Sequence, residues 1–64
     1  MKLHIYTRDD SGYMSYKGER EWDSVEQCVS WYCQDDATPE QAELAGWPTA
    51  TVTWYGNLGI SHAD

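Results

Sequence analysis

Apolar and polar residues alternate near both ends of the chain and follow a helical period in its middle. From Lys2 to Arg8, Leu3 and Ile5 fall on one side and Lys2, His4 and Tyr6 on the other, the two-residue period of a half-buried strand. Asp9-Asp10-Ser11-Gly12 follows as a turn, with Asp and Ser to bond the backbone and Gly to accept a positive φ. Tyr13 to Lys17 reads as a second strand that closes a hairpin. The polar stretch from Gly18 to Glu21 either extends that strand or forms a loop.

The period then changes. Val25, Cys28, Val29 and Tyr32 recur at i, i+3, i+4 and i+7, one face of a helix. Asp23 with Glu26, or Ser24 with Gln27, has the spacing of a capping box, and the acids suit the positive end of the helix dipole. This predicts a main helix from Asp23 or Ser24 to about Gln34, with Trp22 closing over its apolar face. After Asp35-Asp36-Ala37, Thr38-Pro39-Glu40-Gln41 has the signature of a second, short helix: Thr as N-cap, Pro in the first turn, Gln at the reciprocal position. Gly46 and Pro48 would stop it. Thr49 to Tyr55 is β-branched and aromatic, with Ala50, Val52 and Trp54 alternating against Thr51, Thr53 and Tyr55. Gly56-Asn57 is a tight turn, and Leu58 to His62 returns as a last strand. The expected fold is a single α+β domain over residues 1–64, in the order ββααββ, with a small antiparallel sheet packed on one main helix.

Size constrains how such a fold is held together. At 64 residues a chain buries only about 60% of the surface exposed when unfolded, and chains this small usually need extra support. Large rings supply it here: four Trp, five Tyr and no Phe. Trp22, Trp31 and Trp54 are expected in the core. Trp47, between a helix stop and Pro48, is expected as an exposed contact ring.

Charge narrows the function further. The net charge is −7, and it is unevenly placed. Residues 1–20 hold all four basic side chains (Lys2, Arg8, Lys17 and Arg20) alongside Asp9, Asp10 and Glu19. Residues 21–64 hold Glu21, Asp23, Glu26, Asp35, Asp36, Glu40, Glu43 and Asp64 with no Lys or Arg. A field of one sign repels nucleic acid and anionic membranes and draws in basic protein surfaces. Excess carboxylates also serve solubility alone.

Candidate chemistry is sparse. Cys28 and Cys33 are five apart, about 140° around a regular helix, so they do not chelate one ion from it. His4 and His62 lie on the first and last expected strands and could be neighbours if those strands pair, but two His without further ligands make a poor zinc site. No nucleophile elbow, zincin or phosphate-loop motif is present, and a domain this small has little room for a cleft that would separate the pKa values of two carboxylates. The reading is a non-enzyme with no metal and no cofactor. Four basic residues are too few for direct nucleic-acid binding. No signal sequence and no membrane-spanning apolar run is seen, which places the chain in the cytoplasm.

Binding to a basic protein surface is what remains. On a helix, side chains three and four apart lie about 5–6 Å from each other, near the spacing of phosphates along a nucleic-acid strand, and Asp35, Asp36, Glu40 and Glu43 are read as such a row. These four are the primary candidates for partner binding, with Glu21, Asp23 and Glu26 as a secondary group and Trp47 as the contact ring. In size and charge the chain resembles small phage-encoded inhibitors of host defence, such as anti-CRISPR and anti-restriction proteins. That resemblance implies an inhibitor that mimics nucleic-acid phosphates to block a basic, nucleic-acid-binding protein or complex in the host cytoplasm. The alternative is a structural or assembly module that associates through rings and a sheet edge, as a homodimer or with another protein.

Overall fold

The computed structural model describes residues 1–63; Asp64, counted above among the acids, lies outside the described residues. The elements run β1 (Lys2–Arg8), β2 (Met14–Glu21), α1 (Val25–Trp31), β3 (Pro39–Glu43), β4 (Thr51–Tyr55) and β5 (Leu58–His62). The strands form one five-stranded antiparallel sheet in the order β2-β1-β5-β4-β3. Strands 1, 4 and 5 lie where the alternation predicts them, β4 starting two residues later than expected. The segment Gly18–Glu21 continues β2, with a one-residue irregularity where Ile5 faces Gly18 and Tyr6 faces Tyr16, leaving Lys17 unpaired.

The expected ββααββ order, with a sheet packed on one main helix, is wrong on two counts. The second helix is a strand. Thr38-Pro39 fits a helix start, but Pro also fits the first residue of an edge strand, where no ladder N–H is required. Pro39–Glu43 pairs along β4 with Ala42 opposite Val52, and this pairing outweighs the helical preference of an eight-residue segment that would be marginal alone. The remaining helix is also too short to be the main partner of the sheet. It spans seven residues and ends at Trp31 rather than near Gln34.

Both helix ends are closed locally. Ser24 is the N-cap, its Oγ accepting from the Gln27 amide at 3.0 Å. The Gln27 side chain reaches back to the Asp23 amide at 2.7 Å, so the reciprocal bond falls one residue before the cap. At the other end Gln34 N–H donates to Val29 C=O and Cys33 N–H to Ser30 C=O, both at 3.0 Å. That is the Schellman pattern, with Cys33 at φ 59° in the left-handed position glycine usually fills.

The two faces of the sheet are covered differently. Leu3 and Ile5 of β1 and Leu58 and Ile60 of β5 meet Cys28 and Val29 of the helix, with Trp22 beside them. Each such aliphatic contributes on the order of 1.5–3 kcal/mol when fully buried. On the opposite face Tyr6, Val52 and Trp54 form a second cluster, covered by Leu44 and Trp47 from the β3–β4 connection. Gly59, opposite both Tyr6 and Trp54, gives the Trp54 ring its place. A Cβ there would stand 2.9 Å from the indole and from Val52 Cγ1. No helix among the described residues is long and apolar enough to cross a membrane.

Candidate functional site

The carboxylates of the described residues are all on exposed side chains. Their arrangement is set by the strand at 39–43. Side chains three apart on a strand point to opposite faces. Glu40 lies opposite Trp54, on the face of the rings, and Glu43 opposite Thr51, on the face of the helix. Asp35 and Asp36 are in the turn between α1 and β3. The four primary candidates therefore do not form a row on one helix face, and the phosphate-like spacing expected of them is absent.

The secondary group is divided as well. Glu21 ends β2, at the sheet edge opposite β3, where its Oε1 accepts from the Met1 ammonium at 3.1 Å. Asp23 precedes the helix, and Glu26 is in its first turn. The fold brings together one acid from each group. Glu26 and Asp35 both border a groove of about 180 Å³ whose other walls are Val25, Val29, Ala37 and Tyr55. Neither carboxylate has a side-chain ion-pair or hydrogen-bond partner among the described residues. Sequence spacing does not reveal this pair, nine residues apart, because the Schellman turn is what folds Asp35 back beside the helix.

The basic residues are largely engaged by the chain itself. The Arg8 guanidinium lies 4.4 Å from the centre of the Trp54 ring and donates to the Gly56 carbonyl at 2.8 Å. Arg20 lies 5.2 Å from the Trp22 ring. Lys2 is 3.8 Å from Glu19. These contacts hold Arg8 against β4 and the turn after it, and Arg20 and Lys2 against Trp22 and Glu19.

Two expectations about rings are corrected. Trp47, expected exposed, is half-buried and packs edge-on against Tyr6, with ring centres 5.5 Å apart. Trp31, expected in the core, is 65% exposed. It lies just outside the Val25–Cys28–Val29–Tyr32 stripe, and the helix ends with it before anything can cover it. The sequence carried that signal, since position 31 is off the apolar face.

The remaining reactive groups are dispersed. His4 lies opposite Ser61 and His62 opposite Leu3, which puts the imidazoles on opposite faces although their strands pair. His4 Nδ1 instead hydrogen bonds the Tyr16 hydroxyl at 2.9 Å. Burial, with the nearby Glu19 charge second, holds the Tyr16 hydroxyl above its ordinary pKa. Burial pushes the Cys28 thiol up to about 11, so it stays protonated and unreactive. Asp9 is held below the usual carboxylate range, first by the Ser11 hydroxyl and then by backbone amides of the turn. A second groove, of about 360 Å³, runs along the part of the helix-side face that α1 does not reach, lined by Thr49, Thr51, Thr53, Gln41 and His62 among others. No protein-family model, curated protein or solved structure matches this chain.

Proposed function

We propose that the protein is a small acidic inhibitor that docks on a basic, nucleic-acid-binding protein or complex, of the kind phages direct against host defence in the host cytoplasm. Its carboxylates take the places of phosphates on the partner surface. The observation that carries this reading is the stretch from residue 21 onward, which has no basic side chain and exposes each of its described acids. Three of the four basic side chains are held by other groups of the chain: Arg8 and Arg20 stack on tryptophans and Lys2 faces Glu19, while the Met1 ammonium meets Glu21. The array is spread over β3, the turn at 35–36 and the start of α1 rather than set along a helix.

The assembly alternative draws less support. Both sheet edges carry features that discourage strand addition: Pro39, Glu40 and Glu43 on β3, and the irregularity at Lys17 with Glu19, Arg20 and Glu21 on β2. Of the two rings it would rely on, Trp54 is 2% exposed and Tyr55 is half-buried.

The test is a tagged pull-down from the native host, washed at low and at high salt and read by mass spectrometry. A nucleic-acid-handling protein held at about 0.05 M salt and released near 1 M, where screening acts over roughly 3 Å, is the expected outcome. Asp35→Lys with Asp36→Lys abolishes capture without changing the melting profile. A partner that stays bound at high salt and ignores the charge reversals overturns the proposal and points to Trp31.

A further inference from the structure

The groove between α1 and the turn that follows it is the place where the chain's charge and its apolar surface meet. Its floor is apolar: Val25 and Val29 are one helical turn apart, Ala37 comes from the turn, and Tyr55 comes from the helix-side face of β4. Its rim holds Glu26 on one element and Asp35 on another, both exposed and without a cation among the described residues. At about 180 Å³ it is smaller than the roughly 300–1,000 Å³ of most small-molecule sites. It has room for one long side chain. An apolar side chain would fill the floor but leave two carboxylates partly desolvated beside it, which is costly without a counter-charge.

We infer that this groove receives a single arginine or lysine side chain of the partner. The aliphatic stem lies along Val25, Val29 and Tyr55, and the cationic head sits between Glu26 and Asp35. Long basic side chains combine these two demands, since their methylene stems bury against apolar surface while the charge stays at the rim. A guanidinium can also bond both carboxylates at once through its planar fork. The inference rests on the proposed docking to a basic protein and names its anchor. The rest of the acidic surface then steers the encounter, while this groove fixes register.

The experiment is an NMR titration of the whole protein with a capped glycine peptide carrying three spaced arginines. The same peptide with lysine, and with citrulline, which keeps the shape and lacks the charge, serve as comparisons. Amide shifts centred on Val25, Val29, Ala37 and Tyr55 are expected with the arginine and lysine peptides, and none with citrulline. Glu26→Gln with Asp35→Asn should weaken binding about tenfold, the effect of two partly exposed ion pairs of somewhat under 1 kcal/mol each. Glu40→Gln with Glu43→Gln removes the same charge elsewhere and should change binding by less than about twofold. Equal weakening by both double variants, or shifts spread over every acid, overturns the groove as the anchor while leaving the docking proposal intact. Equal binding of citrulline overturns it too. Failure of the arginine and lysine peptides to bind at all at low salt removes the inference and weakens the docking proposal with it. Matching melting curves for the two variants show that their folds are comparable.

Discussion

The two faces of the sheet solve the same problem with different materials. One buries aliphatics, Leu3, Ile5, Leu58 and Ile60, beneath a seven-residue helix. The other buries rings, Tyr6 and Trp54 with Val52, beneath a connection that has no regular structure. A helix brings its own backbone hydrogen bonds, so it can cover small side chains closely. A loop cannot cover as evenly, and the second face compensates with side chains large enough to cover each other. Tyr6 meets both Tyr16 and Trp47, at 5.4 and 5.5 Å between ring centres, and Arg8 lies over Trp54. The Tyr6 hydroxyl reaches Thr49 at 3.3 Å, and Thr49 also bonds Ser61, which ties the loop to the sheet. Removing one ring on this face should therefore do more harm than trimming one aliphatic on the other.

That contrast is broken most sharply at Trp54. Trp54→Ala should cost about 3–5 kcal/mol, as much as a core of this size supplies. The expected outcome is loss of the cooperative thermal transition by circular dichroism. Ile5→Val, a single methylene on the helix side, should cost about 0.5–1.5 kcal/mol and leave the transition intact. A cooperative Trp54→Ala protein would show that the loop-covered face is an accessory to the other core. Gly59→Ala tests the same packing by addition. The new methyl meets the indole ring and Val52 at 2.9 Å, and Arg8 backs the ring, so it has little freedom to withdraw. A loss of about 1–3 kcal/mol in urea unfolding is expected.

These faces were unequally legible in the sequence. Period-2 alternation placed Leu3 and Ile5, and the β-branched run around Val52 marked its strand, because such patterns are local. The turn residues Asp9 to Gly12 and Gly56-Asn57 likewise act through their own backbone. The strand at 39–43 was hidden because Thr38-Pro39-Glu40-Gln41 satisfies a helix start and an edge strand equally. Only the need of β4 for a second neighbour decides between them, and that need lies outside the segment. The misplaced helix carried the binding row with it, since three-residue spacing gathers Glu40 and Glu43 on a helix and separates them on a strand. The charge asymmetry survived, because it depends on no geometry. That Glu26 and Asp35 border one groove depends on a left-handed residue at Cys33, which no composition rule assigns to a cysteine.

The helix-covered face has a pH dependence that sets in near pH 9, below the pH 10 from which the raised Tyr16 hydroxyl on the ring face begins to contribute. Cys28 is fully buried, and burial lifts its thiol from 9.0 to about 11. Between those values the unfolded chain loses a proton that the folded chain keeps, so stability falls as pH rises. The contribution is complete below pH 9 and amounts to about 1.4 kcal/mol of loss by pH 10. Cys28→Ala, although less stable at neutral pH, should show a correspondingly flatter profile from pH 8 to 10 in denaturant titrations. Parallel slopes would place the alkaline sensitivity elsewhere.

The smallest effect expected is a gain, at the seam where the helix gives way to the acidic turn. Cys33 holds φ 59° in the Schellman position, a conformation that costs a side-chain-bearing residue about 1–2 kcal/mol relative to the right-handed region. Glycine occupies it freely but brings a more flexible unfolded chain, and the two contributions partly cancel. Cys33→Gly should therefore stabilise the fold by about 0.5–1 kcal/mol. Cys33→Ala, which keeps the Cβ and removes the thiol, should leave stability nearly unchanged because the cysteine is exposed. A gain from both would trace the effect to the sulfur, and a gain from neither would mean that the left-handed turn carries no strain. With the gain confined to glycine, the helix cover is shown to be held under local strain, and the same turn is what carries Asp35 back beside Glu26.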